Sequence, residues 1–125
     1  NQIDIGGLSE MSNHFEEFGH KFYDRYIQSE NYRLLLAHDP AYFADNGALV
    51  GENIDLALCG HRHGGQVVIP FVGGLYFPGV GLLPDMTSGA HKIYDTWVVV
   101  SRGLGNSEAI PRVNNPPELV VIDLY

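Results

Sequence analysis

Two apolar runs, Leu34-Leu35-Leu36-Ala37 and Leu56-Ala57-Leu58-Cys59, carry no polar residue at alternate positions. That is the pattern of strands covered on both faces, and it restricts the fold more than anything else in the chain. Between them, Pro40 to about Asn46 reads as a short helix, capped by Asp39 at its start and with Gly47 just past its end. A strand, a helix and a strand in that order form a crossover unit, which favours parallel neighbours joined with a right-handed connection. The expected class is therefore α/β. Each run stops at a histidine: the first at His38, the second at Gly60-His61-Arg62-His63-Gly64-Gly65-Gln66. Residues at alternate positions of an extended segment project to one side, so His61 and His63 can both offer ring nitrogens to one small volume, and the glycines let the chain turn beside it. In a chain with six histidines a His-x-His pair is more often incidental than functional. The second strand changes that balance, because open α/β sheets place ligands at the carboxyl ends of their strands. His38, His61 and His63 are thus expected at one sheet edge, where three neutral imidazoles suit zinc, iron, manganese or nickel.

The remainder reads as further alternating elements within one domain, residues 1–125. Ile3 to Ile5 has the character of a strand. Ser12 is a plausible N-cap for a helix whose Phe15, Phe18, Phe22 and Tyr26 recur at helical spacing, a stripe of core packing rather than a cofactor pocket. Val67 to Ile69 is a short strand ended by Pro70, and Phe71 to Ala90 is a glycine- and proline-rich loop that offers Phe71, Tyr76 and Phe77 as contacts beside the histidine turn. Lys92 to Tyr94, Thr96 to Ser101 and Glu118 to Leu124 are β-rich and are expected to form an antiparallel or mixed second sheet. A formal charge of -8 argues against a sequence-independent grip on nucleic acid, which needs lysine and arginine on the phosphates. The single Cys59 excludes an intramolecular disulfide and reads as a small buried hydrophobe. No apolar stretch reaches the length that spans a bilayer.

At the histidine segments the chain resembles the C-terminal half of the calcineurin-like metallophosphoesterase superfamily. Ala37-His38-Asp39-Pro40 stands where that family often has Ser-His-Asn-Pro, and Gly60 to Gln66 matches its Gly-His-Thr-His-Gly-Gly-Gln with Arg62 in place of threonine. Val100-Ser101-Arg102-Gly103-Leu104-Gly105 and Pro111-Arg112 through Pro117-Glu118 resemble the tail of its small phosphodiesterase-like subgroup. The resemblance implies an αββα sandwich, here partial, with a mixed sheet and flanking helices. It implies a centre of two divalent metal ions (Mn, Fe or Zn), in which His38 and His61 hold one ion and His63 the other. It also implies a phosphoester substrate, attacked by a metal-held water of lowered pKa, and a parent protein that is cytoplasmic or membrane-associated.

The family's Asp-x-His, Gly-Asp and Gly-Asn-His motifs, which supply the bridging carboxylate, the metal-binding asparagine and the proton donor, do not occur in these residues. The expectation is therefore of a fragment, the C-terminal portion of a metallophosphoesterase domain, inactive without its N-terminal half. Stripped of that half, its apolar strands would be uncovered and would promote self-association. Arg62 is expected either to contact a substrate phosphate or to point into solvent. Asp39 is a candidate for orienting His38, and Arg102 and Arg112 either grip phosphate or tie the tail down. Ser101 and His91 lack a third group that would make a catalytic triad. Two other readings stand beside the hydrolase: a non-catalytic metal-binding or interaction module, and a three-histidine zinc site complete in itself.

Overall fold

The structure, a computed structural model, describes residues 2–8, 20–106 and 111–125. Its centre is a five-stranded mixed sheet. Strands β1 (Ile3–Leu8), β2 (Tyr32–Ala37), β3 (Leu56–Cys59), β8 (Gly89–Ile93) and β9 (Thr96–Val100) lie in the order β1-β2-β3-β9-β8. The four strands from β1 to β9 are parallel neighbours, and β8 is the antiparallel edge. The architecture is α/β with few helices: among the described residues the one α-helix is α1 (His20–Ile27). Among those residues no helix is long and apolar enough to cross a membrane.

The expected second sheet is not formed by the segments assigned to it. β9 pairs parallel with β3, Leu56 to Cys59 facing Trp97 to Val100, and β8 hairpins onto β9. Thr96-Trp97-Val98-Val99-Val100 is as free of alternation as β3, so it suits a central position as well as β3 does. Glu118 to Leu124 is not a strand. Pro116 and Pro117 remove two donors just ahead of it, and its entry is fixed by the Glu118 N–H donating to the Gly103 carbonyl (3.1 Å). The helix expected over Pro40 to Asn46 contracts to a 3-10 turn, Pro40–Phe43, with the Asp39 carboxylate accepting from the Ala41 N–H at 2.9 Å. Here the chain folds back at once, with the Leu49 N–H donating to the Tyr42 carbonyl (2.9 Å). Within the expected loop after the histidine turn lie two small hairpins, β4 (Val68–Ile69) with β5 (Gly73–Gly74) and β6 (Tyr76–Phe77) with β7 (Gly81–Leu82).

Register decides which sheet face is core. Leu35, Ala57 and Val98 are paired across β2, β3 and β9, and with Ala37, Cys59 and Val100 they form one buried face. Tyr23 and Tyr26 of α1, with Phe43, Leu49 and Ile54, cover it. Phe22 stacks on Tyr26 at 5.6 Å, and Gly6 gives both rings room, since a Cβ there would lie 3.0 Å from Phe22. Phe15 and Phe18 of the expected stripe, and its Ser12 cap, lie outside the described residues. Cys59 is a buried free thiol, as its apolar surroundings suggested, and burial pushes its pKa up to about 12.

The opposite face alternates with the first. Along it Ile5 is 67% exposed, Leu36 46% and Trp97 48%, so apolar surface is left open on the sheet. At the amino ends of the strands, Arg33 donates through its backbone N–H (2.8 Å) and Nε (2.9 Å) to the Asp55 carboxylate, and through Nη1 to the Ser29 carbonyl (3.1 Å). This staple locks the start of β2 to the start of β3. The histidine turns lie at their other ends.

Candidate metal centre

His38 follows β2 directly and His61 follows β3 by one residue, so the parallel register of the two strands delivers both rings to the carboxyl edge. The Gly60 N–H donates to the His38 carbonyl at 2.9 Å and closes the gap between the strand ends. The two imidazoles meet edge to face with ring centres 4.9 Å apart, and Phe77 of β6 lies against His61 at 5.0 Å. Of the three aromatic contacts expected from the loop, Phe77 is the one that packs here, while Phe71 is fully exposed.

The backbone around the histidines is unusual. His61 has φ +65° and is the centre of a three-residue turn closed by the Arg62 N–H on the Gly60 carbonyl (2.7 Å). Gln66, at φ 53° and ψ -62°, centres another, closed by the Val67 N–H on the Gly65 carbonyl (2.6 Å). These are γ-turns of the positive-φ kind, rare because they are strained. Every residue from His63 to Gln66 has positive φ. Non-glycine residues in such regions cost about 1–3 kcal/mol each and persist where the surroundings over-determine them. The surroundings here are Asn115, 3% exposed, whose Nδ2 donates to the carbonyls of His63 (2.7 Å) and Gln66 (3.1 Å). Val113 adds a backbone bridge, donating to the Gln66 carbonyl (3.1 Å) and accepting from the Val68 N–H (3.0 Å). Asn115 was not legible as a site residue. The signal was two consecutive asparagines ahead of Pro116-Pro117, a common turn composition.

His63 lies on a different footing from the other two. Its Nδ1 is 3.4 Å from the Gly105 carbonyl and 3.4 Å from Nη2 of Arg112. Among the described residues no three His, Cys, Asp or Glu side chains are grouped closely enough to hold one ion. The self-contained three-histidine zinc site is therefore not what this arrangement forms. His38 and His61 are brought together, and His63 belongs to the neighbouring turn.

Asp39 sits between these groups, with Oδ2 3.8 Å from His61 Nε2 and Oδ1 3.1 Å from Arg62 Nη2. The carboxylate expected to orient His38 thus reaches the second histidine strand. Arg62 does not point into solvent. It is 6% exposed, with its guanidinium over the Phe77 ring at 5.2 Å, and its Nε and Nη1 meet no acceptor among the described residues. Buried donors without acceptors are destabilising by about 1–3 kcal/mol each, so they mark a place where an anionic oxygen would be favourable. Imidazole nitrogens on the same turn as such donors suit a divalent metal with an oxyanion bound to it.

The two tail arginines are tied into the tail, although Arg102 Nε and Arg112 Nη1, like the Arg62 donors, meet no acceptor among the described residues. Arg102 pairs with Glu118 (Nη2 to Oε1, 3.1 Å), and the Arg102 N–H donates to Glu118 Oε2 (3.0 Å). The Arg102 hydrogen bonds hold the Glu118 carboxyl below the usual carboxylate range. Ser101 Oγ accepts from the Gly103 N–H (3.0 Å), while His91 Nε2 lies 2.9 Å from the Ser88 carbonyl, so the two do not pair as a nucleophile and base.

No family model matches the chain. No solved structure matches it either. It is 34% identical over 95 residues to the uncharacterized metallophosphoesterase YkuE of Bacillus subtilis, covering 74% of this chain and 31% of that protein. It is 33% identical over 94 residues to the phosphodiesterase YaeI of Escherichia coli, covering 74% of this chain and 32% of the relative. The chain spans about a third of the length of these relatives. Over the shared stretch it is a distant homologue of this metallophosphoesterase and this phosphodiesterase.

Proposed function

We propose that this chain carries part of the metal centre of a metal-dependent phosphoesterase, acting on a phosphoester or phosphodiester substrate. The observation that carries the reading is the juxtaposition of His38 and His61 at the carboxyl ends of adjacent parallel strands, with ring centres 4.9 Å apart. Homology to a metallophosphoesterase and a phosphodiesterase supports it. In this reading His38 and His61 hold one divalent ion and His63 a second, the metals being manganese, iron or zinc. Bound metal supplies a hydroxide nucleophile at neutral pH and neutralises charge on the phosphoryl group. The chain's own residues hold the imidazoles: the strained turns aim them, and Asp39 lies against His61. Arg62 brings positive charge and two unpaired donors for a substrate phosphate. The donor set here is of imidazoles, so the bridging carboxylate of a two-metal centre would come from another segment. The 125-residue chain by itself then binds metal weakly and turns over little substrate.

Titration with manganese, read as paramagnetic broadening of imidazole signals, tests the assignment. Broadening should centre on His38 and His61 and be lost in His61→Ala, while hydrolysis of a bis-aryl phosphate stays at background. Broadening confined to His91 would refute the site. Robust turnover by this chain would refute its incompleteness.

A further inference from the structure

We propose that Arg112 is a positioning residue for His63: it fixes the ring in the tautomer that carries hydrogen on Nδ1 and turns the Nε2 lone pair outward. The significance for a metal rests on the reading of His63 as a ligand given above. The geometry itself does not.

Arg112 is the hub of the tail. Its Nε donates to the Gly105 carbonyl at 2.9 Å. Its Nη2 donates to the carbonyls of Arg102 (2.6 Å) and Gly105, with Gly103 further off at 3.3 Å. One guanidinium edge thus gathers the carbonyls of the loop that leaves β9 and presents the Gly105 oxygen to His63 Nδ1, 3.4 Å away.

Arg112 Nη2 is also 3.4 Å from Nδ1, so two tautomers compete. If Nδ1 were bare, it would need a hydrogen from Nη2. Both Nη2 hydrogens, however, have closer carbonyl acceptors in Arg102 and Gly105. A bare Nδ1 would then turn its lone pair toward the lone pairs of the Gly105 oxygen, which is repulsive. With hydrogen on Nδ1 the same contact is attractive. A backbone carbonyl on one ring nitrogen is the common means of fixing the other as an acceptor or ligand. Asn115, three residues along the same segment, holds the His63 carbonyl at 2.7 Å, so one stretch of tail governs both the backbone and the ring of this histidine.

The test is nitrogen-15 NMR of the imidazoles in the metal-free 125-residue chain, at about pH 8 where ordinary imidazoles are neutral. The native chain should show His63 protonated on Nδ1. Arg112→Ala should give a mixture of tautomers, and Arg112→Lys an intermediate pattern, because an ammonium reaches fewer carbonyls. The His91 ring, held at the Ser88 carbonyl, reports in the same spectrum that a variant has kept its fold. A native His63 protonated on Nε2 overturns the proposal without recourse to any variant, and so does an unchanged tautomer in Arg112→Ala. Zinc titration of the same samples separates the two readings. Loss of such a partner should weaken metal binding at His63 by about 10–100-fold. Zinc that perturbs none of His38, His61 and His63 would overturn the metal assignment, while the tautomer result would still stand for Arg112.

Discussion

Gly64→Ala perturbs the point where the strained turn and its clamp meet, and its effect can be worked from the structure. Gly64 has φ +68°, and a Cβ there would run into the Asn115 carboxamide, 2.8 Å from Cγ. An L-residue in the left-handed region costs about 1–2 kcal/mol. Pushing Asn115 aside also removes its bonds to the His63 and Gln66 carbonyls. Each of those carbonyls has a second donor, the Gln66 and Val113 N–H groups respectively, so neither is orphaned and each lost bond is worth about 0.5–1.5 kcal/mol. The sum is about 2–5 kcal/mol. Gly51 is the matched control, with φ +79° and nothing within 4 Å of a Cβ, so Gly51→Ala should show the backbone part alone, about 1–2 kcal/mol. Urea unfolding followed by far-ultraviolet circular dichroism measures both. Asn115→Ala should reproduce the difference, and the double variant Gly64→Ala, Asn115→Ala should be clearly less destabilised than the sum, since the methyl group added at position 64 then has room. Equal effects at Gly51 and Gly64, or additivity within about 0.5 kcal/mol, would refute the clamp.

Glu118, with its carboxyl held below its ordinary value by Arg102, should contribute stability that is complete above about pH 4.3 and is lost as the pH falls below it; Glu118→Gln should be less stable at neutral pH and show a shallower acid slope in unfolding experiments. Cys59, buried and with its pKa raised to about 12, should resist alkylation by iodoacetamide at neutral pH and react at the rate of global unfolding when urea is added. The open sheet face should drive self-association of the 125-residue chain, measurable by sedimentation equilibrium, and Leu36→Lys should shift it toward monomer; a monomer at high micromolar concentration would refute this.

The strands flanking the site could be read from residues because an unbroken apolar run admits few alternatives. Leu56 to Cys59 was delimited as found, and Leu34 to Ala37 needed only Tyr32 and Arg33 added. The parallel pairing followed from the crossover between them. What composition could not show was the partner of a strand. Thr96 to Val100 is β-rich in any setting, and its place beside β3 is fixed by contacts about 40 residues apart in sequence, such as the Trp97 N–H on the Asp55 carbonyl (3.0 Å). Glu118 to Leu124 has the same composition without a ladder to join. The proximity of His38 and His61 was legible from strand ends alone. The resemblance already assigned His63 to a different ion, but its surroundings were not legible, because they depend on positive φ at non-glycine residues and on a tail that returns from Arg112 to Asn115. The sequence around Arg62 fits a solvent-facing or a substrate-facing side chain equally well, and only the fold shows it buried against Phe77 and Asp39.

The Arg33–Asp55 staple at the amino ends of β2 and β3 has a bearing on how the far edge can move. It closes one end of a ladder that runs through Leu34–Leu56, Leu35–Ala57 and Leu36–Leu58 to the Gly60 N–H on the His38 carbonyl at the other, so the two strands are held together along their whole length. The separation of His38 and His61 is then set chiefly by sheet twist, and any change in it must be taken up in the short arcs beyond Ala37 and Cys59. Arg33→Ala, far from either imidazole, should therefore fray the amino ends of the strands while the Gly60–His38 bond keeps the two rings at their spacing.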